Sequence, residues 1–228
     1  MEYGWLNNAI HRGILKTPKI IDAFRKIDRA DFLPEDMRHL ADVDSALPLQ
    51  KGQTISQPTT VAIMLELLQP KPGNKILDIG SGSGWQTTLL AHIVGEKGKI
   101  FALEIVPELK KYAEERIGKY KFGPKKDCRR TVNTQSAKGP EATFLGPIEF
   151  ILGDGKLGIP DQAKFDRIIV ACYAPEIPPA LLEQLSNKNG RLVMPIGESF
   201  MQDIVLIVKN NAKFSKKYFP GFIFVPLI

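Results

Sequence analysis

The spacing of apolar residues predicts two helices and an irregular segment in the first third of the chain. Thr17 and Pro18 are typical of a helix start, and the positions that follow supply an apolar face at helical spacing: Ile20, Ile21, Phe24 and Ile27. From residue 32 to residue 53 no period is sustained, and proline and glycine interrupt the pattern, so we expect an irregular arm. A second helix begins at Pro58, with Val61, Met64, Leu65 and Leu68 on one stripe.

From residue 75 onward the pattern alternates between strands and helices. Residues 75–79 form a short apolar run typical of a buried strand, residues 80–84 a glycine loop, and residues 85–94 a stretch of helical periodicity. Residues 99–103 are predicted as a second strand, and Pro107 as the start of the next helix. Apolar strands separated by helices are typical of a parallel sheet covered on both faces. The expected fold class is therefore α/β, a doubly wound, mostly parallel Rossmann-like sheet with an N-terminal helical arm.

A basic segment interrupts this alternation before further strands complete it. Residues 123–147 hold several lysines and arginines between glycines and prolines, so we expect a surface insertion; a nucleic-acid-binding loop would need interleaved aromatic residues, which the segment lacks. Further strands are predicted at 148–152, 167–171, 192–194, 204–208 and 222–225, and a helix at 178–185. With no repeat and no linker, we expect one domain over residues 1–228, with an arm and helices in 1–70 and an α/β core in 71–228.

Composition limits the class of protein further. With 43% hydrophobic and 25% charged residues, a chain of 228 residues can bury one core, which excludes collagen-like, disordered and disulfide-scaffold proteins. The two cysteines, Cys128 and Cys172, and the scattered histidines predict neither a disulfide framework nor a metal site. No apolar run approaches the roughly 20 residues of a membrane-spanning helix, so we expect a cytoplasmic protein. The net charge of +6 would suit an anionic partner, but it is also ordinary for an enzyme.

The strongest local signal is a strand that runs into a glycine-rich turn and then a helix. Asp78 is followed by Gly80, Gly82 and Gly84, which let a ligand approach the backbone at a helix N-terminus. A tryptophan stands where a dinucleotide fingerprint has its third glycine, and no phosphate-binding loop with a Gly-Lys-Ser/Thr sequence is present. Glu104, at the end of the next strand, is placed to accept hydrogen bonds from ribose hydroxyls. Adenosine without a polyphosphate fits this pattern best.

These residues resemble the class I S-adenosylmethionine-dependent methyltransferases. The resemblance implies S-adenosyl-L-methionine as cofactor, with the glycine loop around its methionine part and Asp154, in the run Leu152-Gly-Asp-Gly155, near its adenine. We expect the following residues to bind the cofactor: Gln53, Thr54, Ile55, Ser56, Asp78, Gly80, Ser81, Gly82, Gly84, Glu104, Asp154, Gly155 and Gln202.

Runs outside this common core resemble one family, the protein-L-isoaspartate O-methyltransferases. They are Gly52-Gln-Thr-Ile-Ser-Gln-Pro58, the segment 152–155, Arg191-Leu-Val-Met-Pro-Ile-Gly197, Phe224-Val-Pro-Leu227 and the arm segments 27–34 and 41–44. The resemblance covers nearly the whole chain except residues 123–147. It implies transfer of a methyl group to the free carboxylate of isoaspartyl residues in damaged proteins or peptides, which initiates repair.

Ser56 is expected to orient the acceptor carboxylate, because it precedes a helix N-terminus that favours an anion and because it matches the family's active-site serine. An ordinary helix cap is the other interpretation of this serine. An isoaspartyl carboxylate is ionised at neutral pH, so the reaction needs no general base.

Two other functions stay open from the sequence. The positive charge and the basic segment 123–147 would suit a nucleic-acid methyltransferase on the same fold, although no Asn/Asp-Pro-Pro-Tyr/Phe signature follows the fourth predicted strand. The chain has Thr59 and Thr60 where family members often have a histidine, which would suit a catalytically lapsed module that only binds the cofactor. On the main hypothesis we expect isoaspartyl proteins or peptides as partners, no stable nucleic-acid partner, no membrane and a monomer.

Overall fold

The structure, a computed structural model, describes residues 4–120, 130–131, 142–145 and 147–228. Six α-helices lie in these ranges: α1 (Gly4–His11), α2 (Pro18–Lys26), α3 (Pro58–Leu68), α4 (Trp85–Val94), α5 (Pro107–Ile117) and α6 (Pro179–Gln184). The strands are β1 (Leu47–Pro48), β2 (Thr54–Ile55), β3 (Lys75–Ile79), β4 (Lys99–Glu104), β5 (Arg130–Thr131), β6 (Ala142–Leu145), β7 (Ile148–Leu152), β8 (Arg167–Val170), β9 (Lys188–Glu198), β10 (Met201–Asn210) and β11 (Lys213–Phe222). No helix in the described part of the chain is long and apolar enough to cross a membrane.

The main sheet is parallel at its centre and antiparallel at both edges. Its nine described strands follow the order β11-β10-β9-β8-β3-β4-β7-β6-β5. The five central strands, β9, β8, β3, β4 and β7, pair in parallel, and the strands outside them pair antiparallel. The chain builds outward from β3 through β4 to β7 and then returns to β8 on the other side of β3. The gap between β3 and β8 is therefore a topological switch point, where α/β sheets place their ligand sites.

The sheet separates two hydrophobic clusters. One contains the apolar faces of α1 to α5, and the other contains Leu181 and Leu185 at α6. Alternate residues of a central strand enter opposite clusters, as Ile76 and Leu77 do in β3. This confirms the expected α/β class, with a mostly parallel sheet and helices on both faces.

The arm is irregular, as predicted, and it is fixed to the helical layer by polar contacts. Between residues 29 and 57 it consists of short 3-10 turns and the two-residue pair of β1 and β2. Tyr120, just beyond α5, donates a hydrogen bond of 2.8 Å to Asp31 and accepts one of 3.1 Å from the Asp28 amide. Lys119 forms an ion pair with Asp31 at 2.5 Å. The arm therefore packs on the core and is not a loose extension.

Three parts of the sequence-based prediction need correction or fall outside the description. The last strand is Lys213–Phe222, so the predicted strand at 222–225 is wrong. Its residues are almost all exposed, and an edge strand without a buried face gives no apolar alternation to detect. Helix α1 was not predicted, because its three buried residues are too few to set a period. The predicted insertion at 123–147 lies outside the described residues except for 130–131, 142–145 and 147.

Candidate active site

A cavity of about 630 Å³ opens at the carboxyl ends of the central strands. Residues at the ends of β3, β4, β7 and β8 form its floor: Ile79, Gly80, Leu103, Glu104, Gly153, Ala171 and Cys172. The volume suits a nucleoside-sized ligand. A wall of the cavity, here called the arm wall, consists of Ser45, Ala46 and residues 53–57.

Asp78 supports the glycine loop from behind rather than lining the cavity. Its side chain is fully buried and accepts hydrogen bonds from Gln86 at 2.8 Å and from Thr87 at 2.6 Å, both in the first turn of α4. Burial raises the pKa of the Asp78 carboxyl to about 6, the two hydrogen bonds oppose this rise, and the charge of Glu104 adds to it. Asp78 therefore fixes α4 to the end of β3 and so sets the position of the loop between them.

The glycines of the loop are required by backbone conformation and by close packing. Gly80, Gly82 and Gly84 have φ values of 75°, 53° and 84°, in the left-handed region. A Cβ at Gly80 would lie 2.8 Å from the Cys172 sulfur, and one at Gly84 would lie 3.0 Å from the Ala113 side chain in α5. Gly80 and Gly82 line the cavity, whereas Gly84 is the N-cap of α4 and packs against α5.

Glu104 is the acidic group at the mouth of the loop. One carboxylate oxygen accepts from the Gly82 amide at 2.8 Å, and the other accepts from the amides of Ile105 and Val106 at 2.9 and 3.0 Å. A carboxylate has about four acceptor positions, so Glu104 can accept a further hydrogen bond without losing these three. Glu104 is only 5% exposed, yet it lines the cavity. This arrangement allows it to accept a hydrogen bond from a ribose hydroxyl.

A buried hydroxyl in the loop tests whether a polar ligand fits here. Ser81 lines the cavity and is 4% exposed, and its Oγ has no hydrogen-bond partner among the described residues. A buried hydroxyl without a partner is unfavourable, so this atom calls for a polar group inside the cavity. Together with Glu104, the donor and acceptor set fits a ligand that carries both hydroxyls and a charged polar end, as an adenosyl amino acid does.

The predicted segment Gln53 to Ser56 lies in the arm wall. All four residues line the cavity, with Thr54 and Ile55 in the short strand β2. Ser56 does not cap α3: the N-cap position is Gln57, whose side chain makes no cap hydrogen bond, and the Thr59 amide in the first turn donates to the Asp44 carboxylate at 2.8 Å. The interpretation of Ser56 as an ordinary helix cap therefore lacks structural support, and Ser56 is one of the residues that line the cavity.

Other predicted residues lie next to the cavity but are not among the described residues that line it: Asp78, Gly84, Asp154 and Gln202. The Asp154 side chain accepts from the Lys156 amide at 2.8 Å, as in an ordinary Asx turn, while its neighbour Gly155 does line the cavity. Gln202 is buried and accepts from the Phe224 amide at 2.7 Å, so it holds the lining segment after β11.

Several lining residues were not predicted from the sequence. Residues 221–228 close one side of the cavity, and Ser45, Ala46 and Trp85 contribute elsewhere. The C-terminal run was matched to a family, but residues 222–225 were predicted as a strand of the sheet and not as part of the cavity wall. Trp85 directly follows the glycine loop, and this position in the sequence could have indicated that it lines the cavity.

Cys172 and metal binding can both be assessed from the geometry. Burial raises the pKa of the Cys172 thiol to about 12, and the nearby charges of Glu104 and Asp78 act in the same direction. The thiol is therefore protonated at neutral pH and is not a nucleophile. In the described part of the chain, no three His, Cys, Asp or Glu side chains are grouped so that they could hold a metal ion.

A parallel sheet with a glycine loop after β3 and an acid at the end of β4, and with Trp85 in place of a dinucleotide fingerprint's third glycine, is typical of the class I S-adenosylmethionine-dependent methyltransferases. The comparisons with known proteins narrow this class. Residues 4–228 match the model of the protein-L-isoaspartate(D-aspartate) O-methyltransferase family, and the chain belongs to that family.

Curated relatives and a solved structure agree with this assignment. A protein-L-isoaspartate O-methyltransferase from Methanopyrus kandleri is 36% identical over 217 residues, which cover 95% of this chain and 86% of that protein. One from Thermosipho melanesiensis is 39% identical over 92% of this chain and 93% of its own length. The crystal structure of a Plasmodium falciparum protein described by the same family name, in complex with S-adenosyl-L-homocysteine, has a TM-score of 0.78 and 25% identity and covers 98% of this chain and 96% of that one.

Proposed function

We propose that the protein is a protein-L-isoaspartate O-methyltransferase. It transfers the methyl group of S-adenosyl-L-methionine to the free carboxylate of isoaspartyl residues in damaged proteins or peptides and so initiates their repair. The observation that carries the proposal is the cavity itself, in which Glu104, the glycine loop and the arm wall meet within a chain that matches the family from residue 4 to residue 228.

The floor of the cavity holds the cofactor. Glu104 accepts a hydrogen bond from the ribose, and the Ser81 hydroxyl pairs with the polar methionine end. Gly80 and Gly82 allow the backbone to approach closely. Asp78 and Gly84 act indirectly by fixing the loop to α4 and α5, and Gln202 by accepting a hydrogen bond from the Phe224 amide. Asp154 and Gly155 lie at the side where the adenine is expected.

The bound cofactor supplies an electrophilic methyl group on a positively charged sulfonium. The task of the chain's own residues is then to position the acceptor and exclude water, because an isoaspartyl carboxylate is already ionised at neutral pH. Ser56 donates a hydrogen bond that aims this carboxylate, and it forms no covalent intermediate. The shortage of histidines and the protonated Cys172 are consistent with a reaction that uses no general base or protein nucleophile.

The rim of the cavity suits an extended peptide. Ile105, Ile223 and Ile228 line the cavity and are 41%, 77% and 55% exposed, so apolar surface is available at its edge. An extended chain across this rim would be recognised mainly through its backbone, with little selectivity for flanking side chains. A single domain, a monomeric state, a cytoplasmic location and the lack of a nucleic-acid partner stay predictions from the sequence.

The proposal is tested by methyl transfer from labelled S-adenosyl-L-methionine to three acceptors: an isoaspartyl peptide, its aspartyl counterpart and a structured RNA. We expect base-labile label on the isoaspartyl peptide only. Transfer to RNA, with a steep loss as salt rises, would support the nucleic-acid alternative. Cofactor binding without transfer to any acceptor would support the catalytically lapsed module.

A further inference from the structure

Arg29 is a buried arginine that donates hydrogen bonds to the arm, including two residues of the arm wall. It is 0% exposed and follows the end of α2 in a short 3-10 turn. One terminal nitrogen donates to the carbonyls of Ala41 and Val43 at 3.3 and 2.9 Å. The other donates to the carbonyls of Ser45 and Ser56 at 2.7 and 3.2 Å. A single guanidinium therefore joins two stretches of the arm that are separated in sequence.

The same guanidinium also rests on the cavity's tryptophan. The Arg29 side chain lies over the Trp85 ring, 5.5 Å from its centroid, a cation–π geometry. Trp85 begins α4 directly after the glycine loop, and it is buried at 2% exposure while lining the cavity. Arg29 thus contacts the peptide group of Ser56, the peptide group of Ser45 and the start of α4.

The arm has few regular strand or helix contacts that could hold it in place. Its described regular structure is limited to short 3-10 turns and the two-residue strands β1 and β2. Carbonyl groups in such a segment need donors from elsewhere when they are buried. The planar guanidinium of an arginine can donate hydrogen bonds to four carbonyls in fixed directions. A lysine has a single ammonium nitrogen, which cannot reach all four carbonyls at once.

We propose that Arg29 is a positioning residue for methyl transfer, which holds Ser56 and the arm wall in register with the glycine loop. This inference rests on the proposed function, in which Ser56 aims the acceptor carboxylate. Arg29 touches neither cofactor nor acceptor, and it acts through the carbonyl of Ser56 and the ring of Trp85. Its removal should therefore affect the reaction rate more than cofactor affinity.

A second buried arginine provides a matched control. Arg167 is 4% exposed and donates to three carbonyls, those of Gln69, Asp166 and Asn189, at 3.0, 2.7 and 3.1 Å. It begins β8, so it lies at the end of the strands opposite the cavity. Arg167→Lys removes the same kind of hydrogen bonds to several carbonyls, but none of these carbonyls belongs to the arm wall.

The test compares Arg29→Lys, Arg29→Met and Arg167→Lys with the unmodified chain. Methionine keeps an apolar stem over Trp85 without donors, so it serves as a second variant should lysine prevent folding. Four quantities are measured in variants that retain the circular dichroism of the unmodified chain. They are hydrogen–deuterium exchange of peptides covering residues 41–60, the dissociation constant of S-adenosyl-L-methionine, and kcat and KM for an isoaspartyl peptide.

We expect faster exchange in residues 41–60 for both Arg29 variants and kcat lower by roughly 10- to 100-fold, since a small misplacement of a positioning group costs that much. The dissociation constant of S-adenosyl-L-methionine should rise by a smaller factor than kcat falls, because the floor contacts stay intact and only the expected contacts of residues 53–56 are misplaced. Arg167→Lys should change neither exchange in this segment nor kcat. Unaltered exchange in the Arg29 variants, or an equal loss of kcat in Arg167→Lys, would overturn the inference. If the unmodified chain transfers no methyl group to the peptide, the proposed function fails, while the exchange data still decide whether Arg29 orders the arm wall.

Discussion

Asp78 gives a prediction whose size follows from the structure. Burial raises the pKa of its carboxyl from 3.8 to about 6 in the folded protein. The unfolded chain releases this proton near the lower value, so between the two values the folded state binds the proton more tightly than the unfolded state does. Stability contributed by the protonated group is therefore fully present below the lower pKa and is lost as the pH rises through the higher one.

The difference between the two pKa values corresponds to about 3 kcal/mol of unfolding free energy over the whole range. Between about pH 4 and about pH 7 the linkage relation gives a loss of roughly 2.4 kcal/mol, because the unfolded group is already half ionised at the lower pH. Asp78→Asn carries a side chain that never ionises. An asparagine can still accept from Thr87, and the Gln86 amide can turn to accept from the asparagine NH₂ group.

We therefore expect Asp78→Asn to gain stability relative to the unmodified chain as the pH rises. The free energy of unfolding is measured by urea titration near pH 4 and near pH 7, and the difference between variant and unmodified chain should grow by roughly 2 kcal/mol at the higher pH. Asp161→Asn, at an exposed carboxylate, controls for the loss of one charge. If the difference in unfolding free energy between variant and unmodified chain is the same at both pH values, the assignment of a raised pKa to the buried Asp78 carboxyl is refuted.

Three further substitutions test the site and its support. Glu104→Ala should raise the dissociation constant of S-adenosyl-L-methionine by about tenfold or more, because a hydrogen bond to a charged group is lost. Calorimetry measures this constant, with Glu149→Ala, at a second buried acid, as the control. Unchanged affinity in Glu104→Ala would remove the ribose assignment. Ser56→Ala should lower kcat for an isoaspartyl peptide by roughly 10- to 100-fold, a larger factor than any rise in the dissociation constant of the cofactor, and wild-type kcat would leave the serine without its role. Gly84→Ala should cost about 2–4 kcal/mol of stability, since both its φ of 84° and the contact with Ala113 oppose a side chain. Gly73→Ala, with a similar φ of 79° and open space around it, should cost less, and an equal loss would contradict the packing argument.

The central strands and helices could be predicted from the sequence because each has a clear apolar period and sharp ends. Helices α3, α4 and α5 begin at the expected residues, where a proline or a glycine loop marks the start. Strands β3 and β7 have the predicted bounds because both of their faces are buried. Near the C-terminus this signal is lost, because β11 is exposed along most of its length and its position depends on pairing with β10.

Cavity-lining residues could be predicted where they belong to local sequence motifs. The prediction was incomplete where the fold brings distant segments together. Gly80, Ser81, Glu104 and Ser56 line the cavity, and they come from motifs that can be recognised locally. Residues 221–228 and the contacts of Arg29 come from tertiary packing. An arginine at the end of an apolar helix face gives no sign that it will be buried against carbonyls 12 to 27 residues away. The irregular arm was the one indication in the sequence that such a donor is needed, since buried carbonyls outside regular structure require hydrogen-bond donors.

The most direct test of the central claim is a competition for one limiting portion of S-adenosyl-L-methionine between two peptides that differ only in an isoaspartyl or aspartyl linkage. Mass spectrometry follows the methyl ester on each peptide and its conversion to succinimide. We expect the ester, and then the succinimide, to arise from the isoaspartyl peptide alone. Equal methylation of both peptides, or none of either while the protein binds the cofactor, would contradict it.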